Sequence, residues 1–196
     1  MRTIKTNVYA LNELAQDAKQ KAIQNFREGN LDYEWWEWKY EDATEIGKIL
    51  GIDIDRIYFS GFWSQGDGAC FEGSYYYRKG CLKDIKAYAP KDTELHDIAE
   101  RLTNIARVNF YQINASIKQS GHYYHSGCTD ITVSDDRHAG WYEPANAEDL
   151  RDVLRDFMGW IYSSLEKEHD YLQSDEVIAE TIEVNEYEFT ADGAEI

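Results

Sequence analysis

The densest grouping of chemically capable side chains is His122-Tyr-Tyr-His125-Ser-Gly-Cys128, which sets two imidazoles and a thiol within seven residues. Imidazole and thiolate are zinc ligands, and a structural zinc site needs four such donors in a tetrahedron. A fourth ligand, Cys70 or His138, would have to come from elsewhere in the chain. The spacing works against convergence, because residues an odd number apart in a regular strand point to opposite faces. Half-exposed aromatic and histidine side chains on a strand account for the same residues, so no metal is expected. Cys70, His122, His125 and Cys128 remain the ligand set of the less favoured alternative.

A second candidate is Phe59-Ser-Gly-Phe-Trp-Ser-Gln-Gly-Asp-Gly-Ala-Cys-Phe-Glu-Gly73. Gly66-Asp67-Gly68 supplies the residue types that tight turns demand, and the flanking aromatics suit strands. A functional reading would put Gln65 and Asp67 at a ligand or partner surface. Ser64 or Cys70 could act as a nucleophile only beside a positioned base, and no sequence signature supplies one. Asp53/Asp55 and Asp135-Asp136-Arg137-His138 offer carboxylates for acid-base or Mg²⁺ chemistry, but without a phosphate-binding loop they read as caps and loop decoration. No nucleophile elbow, phosphate loop or dinucleotide fingerprint occurs, so no catalytic residue and no cofactor is assigned.

Within that segment, Ser60-Gly61-Phe62 followed by Ser64-Gln65-Gly66-Asp67-Gly68-Ala69-Cys70-Phe71 resembles a pattern found in small, acidic, uncharacterised proteins of bacteriophages and mobile elements. The likeness covers roughly residues 1–80 and the His122–Gly127 stretch, with Trp63 where a small residue is expected. The resemblance implies no activity. It implies a setting, in which a phage-encoded accessory factor binds and inhibits a host protein.

Charge is the most uneven property of the chain. Residues 28–45 hold seven acids and one base and residues 166–196 hold eleven acids and one base, which leaves −1 of the net −17 for the other 147 residues. Patches of this kind attract basic surfaces and repel nucleic acid. The 20 basic residues form no dense run, so direct nucleic-acid contact is not expected. In Leu31-Asp-Tyr-Glu-Trp-Trp-Glu-Trp-Lys-Tyr-Glu-Asp42, a helix would put Trp36 and Tyr40 toward the core and leave Trp35 and Trp38 beside Glu34, Glu37 and Glu41. Aromatics among carboxylates suit a hot spot for a basic partner. At the other end Thr181-Ile-Glu-Val-Asn-Glu-Tyr-Glu-Phe189 alternates like a strand, so Glu180, Glu183, Glu186 and Glu188 would line an ordered edge that imitates nucleic-acid phosphates.

The elements that must position these residues follow from periodicity. Val8–Leu11 reads as a strand that feeds a helix capped by Asn12, with Leu14, Ala18, Ala22 and Phe26 on one face. A second helix runs from Asp32 to about Leu50 and closes at Gly51. Ile57–Trp63 and Ala69–Tyr77 form a hairpin, and Ile113–Gln119 turns at Ser120-Gly121 and returns through His122–His125 and Thr129–Val133. Helices from Asp92 to about Val108 and from Asn146 onward carry apolar stripes, the latter Leu150, Val153, Leu154, Phe157, Ile161 and Leu165. The fold class is α+β, an antiparallel sheet built from hairpins with about four amphipathic helices around it.

One compact domain over residues 1–196 is expected, since only Pro90 and Pro144 occur and no linker composition divides the chain. The N-terminus lacks a signal-type apolar run, no segment is long and apolar enough for a membrane span, and three cysteines match no secreted framework, so a cytoplasmic protein is expected. The resulting reading is an inhibitor of a host nucleic-acid-handling or defence protein, of anti-CRISPR type, acting through acidic, nucleic-acid-mimicking surfaces. Its partner is basic, and exposed Trp residues would also suit a homodimer. The alternatives are a small metal- or thiol-dependent enzyme using Asp67, Cys70, His122, His125 and Cys128, and an antitoxin against a basic toxin.

Overall fold

A computed structural model describes residues 6–29, 31–137 and 143–196, so His138 lies outside the described residues. In chain order they form a 3-10 turn (Leu11–Glu13), α1 (Gln16–Gly29), α2 (Glu37–Leu50), β1 (Ile52–Ser60), β2 (Gly68–Tyr76), α3 (Cys81–Tyr88) and α4 (Thr93–Val108). There follow β3 (Ile113–Gln119), a 3-10 turn (Ser126–Cys128), β4 (Thr129–Asp135), α5 (Ala147–Leu172) and α6 (Asp175–Val184). The strands make one antiparallel sheet in the order β1-β2-β3-β4, and the class is α+β. The chain divides into two compact units, residues 36–166, and residues 1–35 with 167–196. None of the described helices is long and apolar enough to cross a membrane.

In the unit of residues 36–166 the helical stripes take the core as their spacing requires. Leu95, Ile98, Ala99 and Leu102 of α4, and Leu150, Val153, Leu154, Phe157 and Ile161 of α5, are at most 1% exposed. Phe157 meets Phe71 of β2 edge to face with centroids 5.9 Å apart. Asp92 works twice: one carboxylate oxygen accepts from Leu95 N–H and caps α4 (3.1 Å), and the other accepts from the Trp160 indole of α5 (2.9 Å). The β1–β2 register shifts between Ile54 and Arg56, which leaves Asp55 as the extra residue of a bulge. Gly73 sits opposite, and a Cβ there would lie 2.0 Å from the Asp53 carbonyl oxygen. Only glycine lets the bulged strand come that close.

In the unit formed by both chain ends, Leu11, Ala22, Ile23, Ile178, Ile182 and Phe189 are buried together, with Phe26 packed edge to face on Tyr187 at 5.1 Å. Tyr9 and Phe189 form an antiparallel bridge, each N–H donating to the other's carbonyl at 2.9 Å. Lys21 pairs with Asp192 at 3.0 Å, and Arg27 pairs with Asp175. The Asp192 carboxyl accepts from the Thr190 hydroxyl and from Lys21, which hold it down to about 2.

Four expectations change. Val8–Leu11 is a single bridge and a 3-10 turn rather than a strand, and Asn12 lies inside that turn while α1 starts at Gln16. α2 starts at Glu37 instead of Asp32, with Trp36 as the residue before its first turn. The described residues hold six α-helices where about four were expected; α3, with Cys81 and Ile85 buried one turn apart, is too short for its stripe to stand out. Residues 181–189 do not form a strand. Ser174 caps α6 by accepting from Val177 N–H (3.4 Å), Asp175 and Glu176 favour the positive end of its dipole, and Ile178 and Ile182 fall four apart into the core.

Two outcomes follow. The Tyr75 hydroxyl is buried with no partner among the described residues, so Tyr75→Phe should leave stability unchanged or raise it by about 1 kcal/mol in urea unfolding; a loss of that size would mean the hydroxyl is bonded in solution. Because the folded value of Asp192 lies below its ordinary 3.8, its pairing adds stability above about pH 4 that is lost as the pH falls toward 2. In a carbon-13 NMR titration, Lys21→Met should move the Asp192 midpoint up toward 3.8.

Candidate functional site

The Gly-rich segment forms the connection between β1 and β2, and its polar residues are used structurally. Asp67 accepts from Trp63 N–H (3.0 Å) and Ser64 N–H (2.7 Å), while its own N–H donates to the Ser64 carbonyl (3.0 Å). Gln65 is exposed. A Cβ on Gly68 would lie 2.5 Å from the His125 Cβ and 2.6 Å from its Cα, so two backbone connections meet where only glycine fits. Phe62 and Trp63 lie in the connection beyond the end of β1, with Trp63 80% exposed.

His122–His125 belong to the connection between β3 and β4 rather than to a returning strand, so alternation does not govern them. His125 caps the 3-10 turn: its Nδ1 accepts from Gly127 N–H at 3.0 Å, and its Nε2 lies 3.4 Å from Cys128 Sγ. With Nδ1 accepting, the neutral ring carries its proton on Nε2 and points it at sulfur. Such an imidazole is a donor to the thiol and not a base for it. Cys70 is fully buried, and burial pushes its thiol up to about 11, so it is neutral near pH 7. Among the described residues no three His, Cys, Asp or Glu side chains converge to hold a metal. The pair His125 and Cys128 meets, and His122 and Cys70 do not complete a site.

What the tertiary structure does create is a groove of about 1000 Å³ along β1. One wall is the side of α2 from Tyr40 to Lys48 and the other is Ile54–Phe59, with Trp36 and Tyr124 also lining it. Aromatic contacts frame it: Trp36 lies 5.8 Å from Phe59, Phe59 5.6 Å from Phe62, and Tyr58 stacks on Tyr124 at 5.3 Å. Tyr58 is fixed from both sides, its hydroxyl donating to Glu72 (2.8 Å) and the Arg56 guanidinium lying 4.7 Å from its ring centre. Tyr40 is half-buried, and burial raises its phenol to about 12, so it presents a neutral hydroxyl.

The first acidic patch is only partly as expected. Glu34, Glu37, Trp38 and Glu41 are exposed, with the Lys39 ammonium 3.9 Å over the Trp38 ring. Trp35 is 6% exposed and packs on His169 at 5.6 Å, which removes it from the surface role expected of it. In the second patch Glu180 and Glu183 are exposed on α6, and Glu186 and Glu188 are exposed in the turn after it. The carboxylates are at the surface as expected, in a helical arrangement rather than along an edge strand.

Residues 35–175 match the family model of a domain of unknown function, DUF8835. The chain belongs to the DUF8835 family. No curated protein and no solved structure matches it. The DUF8835 region contains α2, the whole sheet and the groove, and it ends before Glu180, Glu183, Glu186 and Glu188.

Thiol labelling of the native protein should modify one cysteine, Cys128. Cys70 and Cys81 should react only on unfolding, so Cys128→Ser should abolish the fast phase, and prompt modification of Cys70 would contradict its burial.

Proposed function

We propose that this DUF8835 protein acts by binding a basic, nucleic-acid-handling protein and competing with nucleic acid for it. The observation that carries the reading is where exposed acids without an ion pair are most crowded. Many exposed carboxylates are neutralised locally: Glu45 by Lys48 (2.6 Å), Glu148 by Arg151 (3.0 Å), Asp192 by Lys21 (3.0 Å). Glu41, Glu180, Glu183, Glu186 and Glu188 are exposed and make no ion pair among the described residues, and they lie in the two segments that hold nearly all the net charge. Local charge left uncompensated at a surface is what steers an oppositely charged partner. An accessory role against a host or defence protein is the setting that the phage-protein resemblance adds. The His125 tautomer and the neutral Cys70 favour binding over a thiol-based reaction.

The test is capture from a nuclease-treated bacterial lysate, with elution by duplex DNA. Proteins retained at low salt should be basic and displaced by DNA. Reversing Glu180, Glu183, Glu186 and Glu188 to Lys, together with Glu34, Glu37 and Glu41, should weaken retention by about 10- to 100-fold and flatten its salt dependence. Retention indifferent to DNA and to these reversals would overturn the reading.

A further inference from the structure

We propose that the outer edge of β1, over Arg56–Ser60, takes up an extended basic segment of a protein partner as a fifth strand, with α2 as the facing wall. This rests on the reading of the chain as a binder of basic proteins, and it names the form in which part of the partner is held. β1 is the end strand of the sheet, and no described strand pairs with its outer side. Six consecutive residues, Ile54–Phe59, line the groove. An opening over one face of a strand would be lined by alternate residues, since side chains alternate, so consecutive lining runs the opening along the edge itself. After the bulge at Asp55 the pairing is regular from Arg56 to Ser60, a template about 17 Å long. The opposite edge is treated differently: Arg151 of α5 donates to the Ile131 carbonyl of β4 at 3.0 Å.

Charge selects the occupant. Glu41 and Asp55 line the groove with no ion pair among the described residues. Of its two cations, Lys48 pairs with Glu45, and Arg56 lies over the face of Tyr58 and keeps its charge, so the three acids and two bases of the lining leave it net negative by one. An incoming strand would therefore meet unneutralised carboxylates, with Trp36 and Tyr124 to receive the stems or guanidinium planes of its basic side chains. Main-chain pairing supplies affinity and alternate side chains supply selectivity, as in other strand-addition sites.

The probe is an acetylated, amidated Arg-Val-Arg-Val-Arg-Val-Arg peptide, measured by fluorescence anisotropy against the full chain, with hydrogen exchange read at β1. It should bind and protect amides within Arg56–Ser60. Two analogues, N-methylated at all odd or all even positions, should split: one keeps its affinity and the other loses about tenfold or more, because only alternate amides face a paired strand. Glu41→Lys with Asp55→Lys should also cost about tenfold, whereas reversal of Glu180, Glu183, Glu186 and Glu188 should leave the peptide's affinity nearly unchanged. Equal binding of both analogues would overturn strand addition without needing any protein variant. Binding lost only on the C-terminal reversals, or no binding of the peptide while DNA-displaceable capture from lysate persists, would overturn the groove and leave the broader reading standing.

Discussion

The contact on which the groove-bearing unit depends is the approach of Gly68 to His125. A side chain at position 68 would collide with the Cβ and Cα of His125, so the absence of one lets the β3–β4 connection lie directly on the start of β2. From that contact the rest follows in sequence. Tyr124, next to His125, is brought onto Tyr58 and contributes to the groove. His125 is held with its Nδ1 on Gly127 N–H, and this sets its proton toward Cys128. His125, whose type suggests zinc chemistry, thereby shapes a turn.

The charge distribution has two physical regimes. Where helices and strands bring a Lys or Arg within reach, acids are neutralised, and Arg101 and Arg151 each serve two of them. Exposed pairs of this kind contribute little to stability, so their arrangement is not what holds the fold. The core of α4, α5 and β2 does that through apolar burial. Acids left over at α2 and α6 are costly to crowd, since like charges repel, and a protein that keeps them tolerates that repulsion. The DUF8835 match includes the α2 acids and ends before Glu180, Glu183, Glu186 and Glu188.

An open sheet edge is a hazard, because unpaired amides and carbonyls invite other strands. At β1 the hazard is limited by the bulge at Asp55 and by the exposed charges of Asp55 and Arg56.

Much of the architecture was legible from periodicity. Two hairpins and the apolar stripes of α4 and α5 were read correctly because each is a local pattern long enough to repeat. Short or bilingual segments failed: α3 is under three turns, and residues 181–189 alternate like a strand although Ser174, Ile178 and Ile182 specify a helix once Phe189 and Leu11 complete its core. Trp35 and Trp38 look alike among the acids, and only packing on His169 decided which one is buried. By itself the sequence determined the fold class, the uneven charge and the lack of a catalytic fingerprint, since these depend on composition and on neighbours in the chain. The groove and ion pairs such as Lys21–Asp192 were decided by tertiary structure alone, because each depends on groups far apart in sequence meeting within a few ångströms.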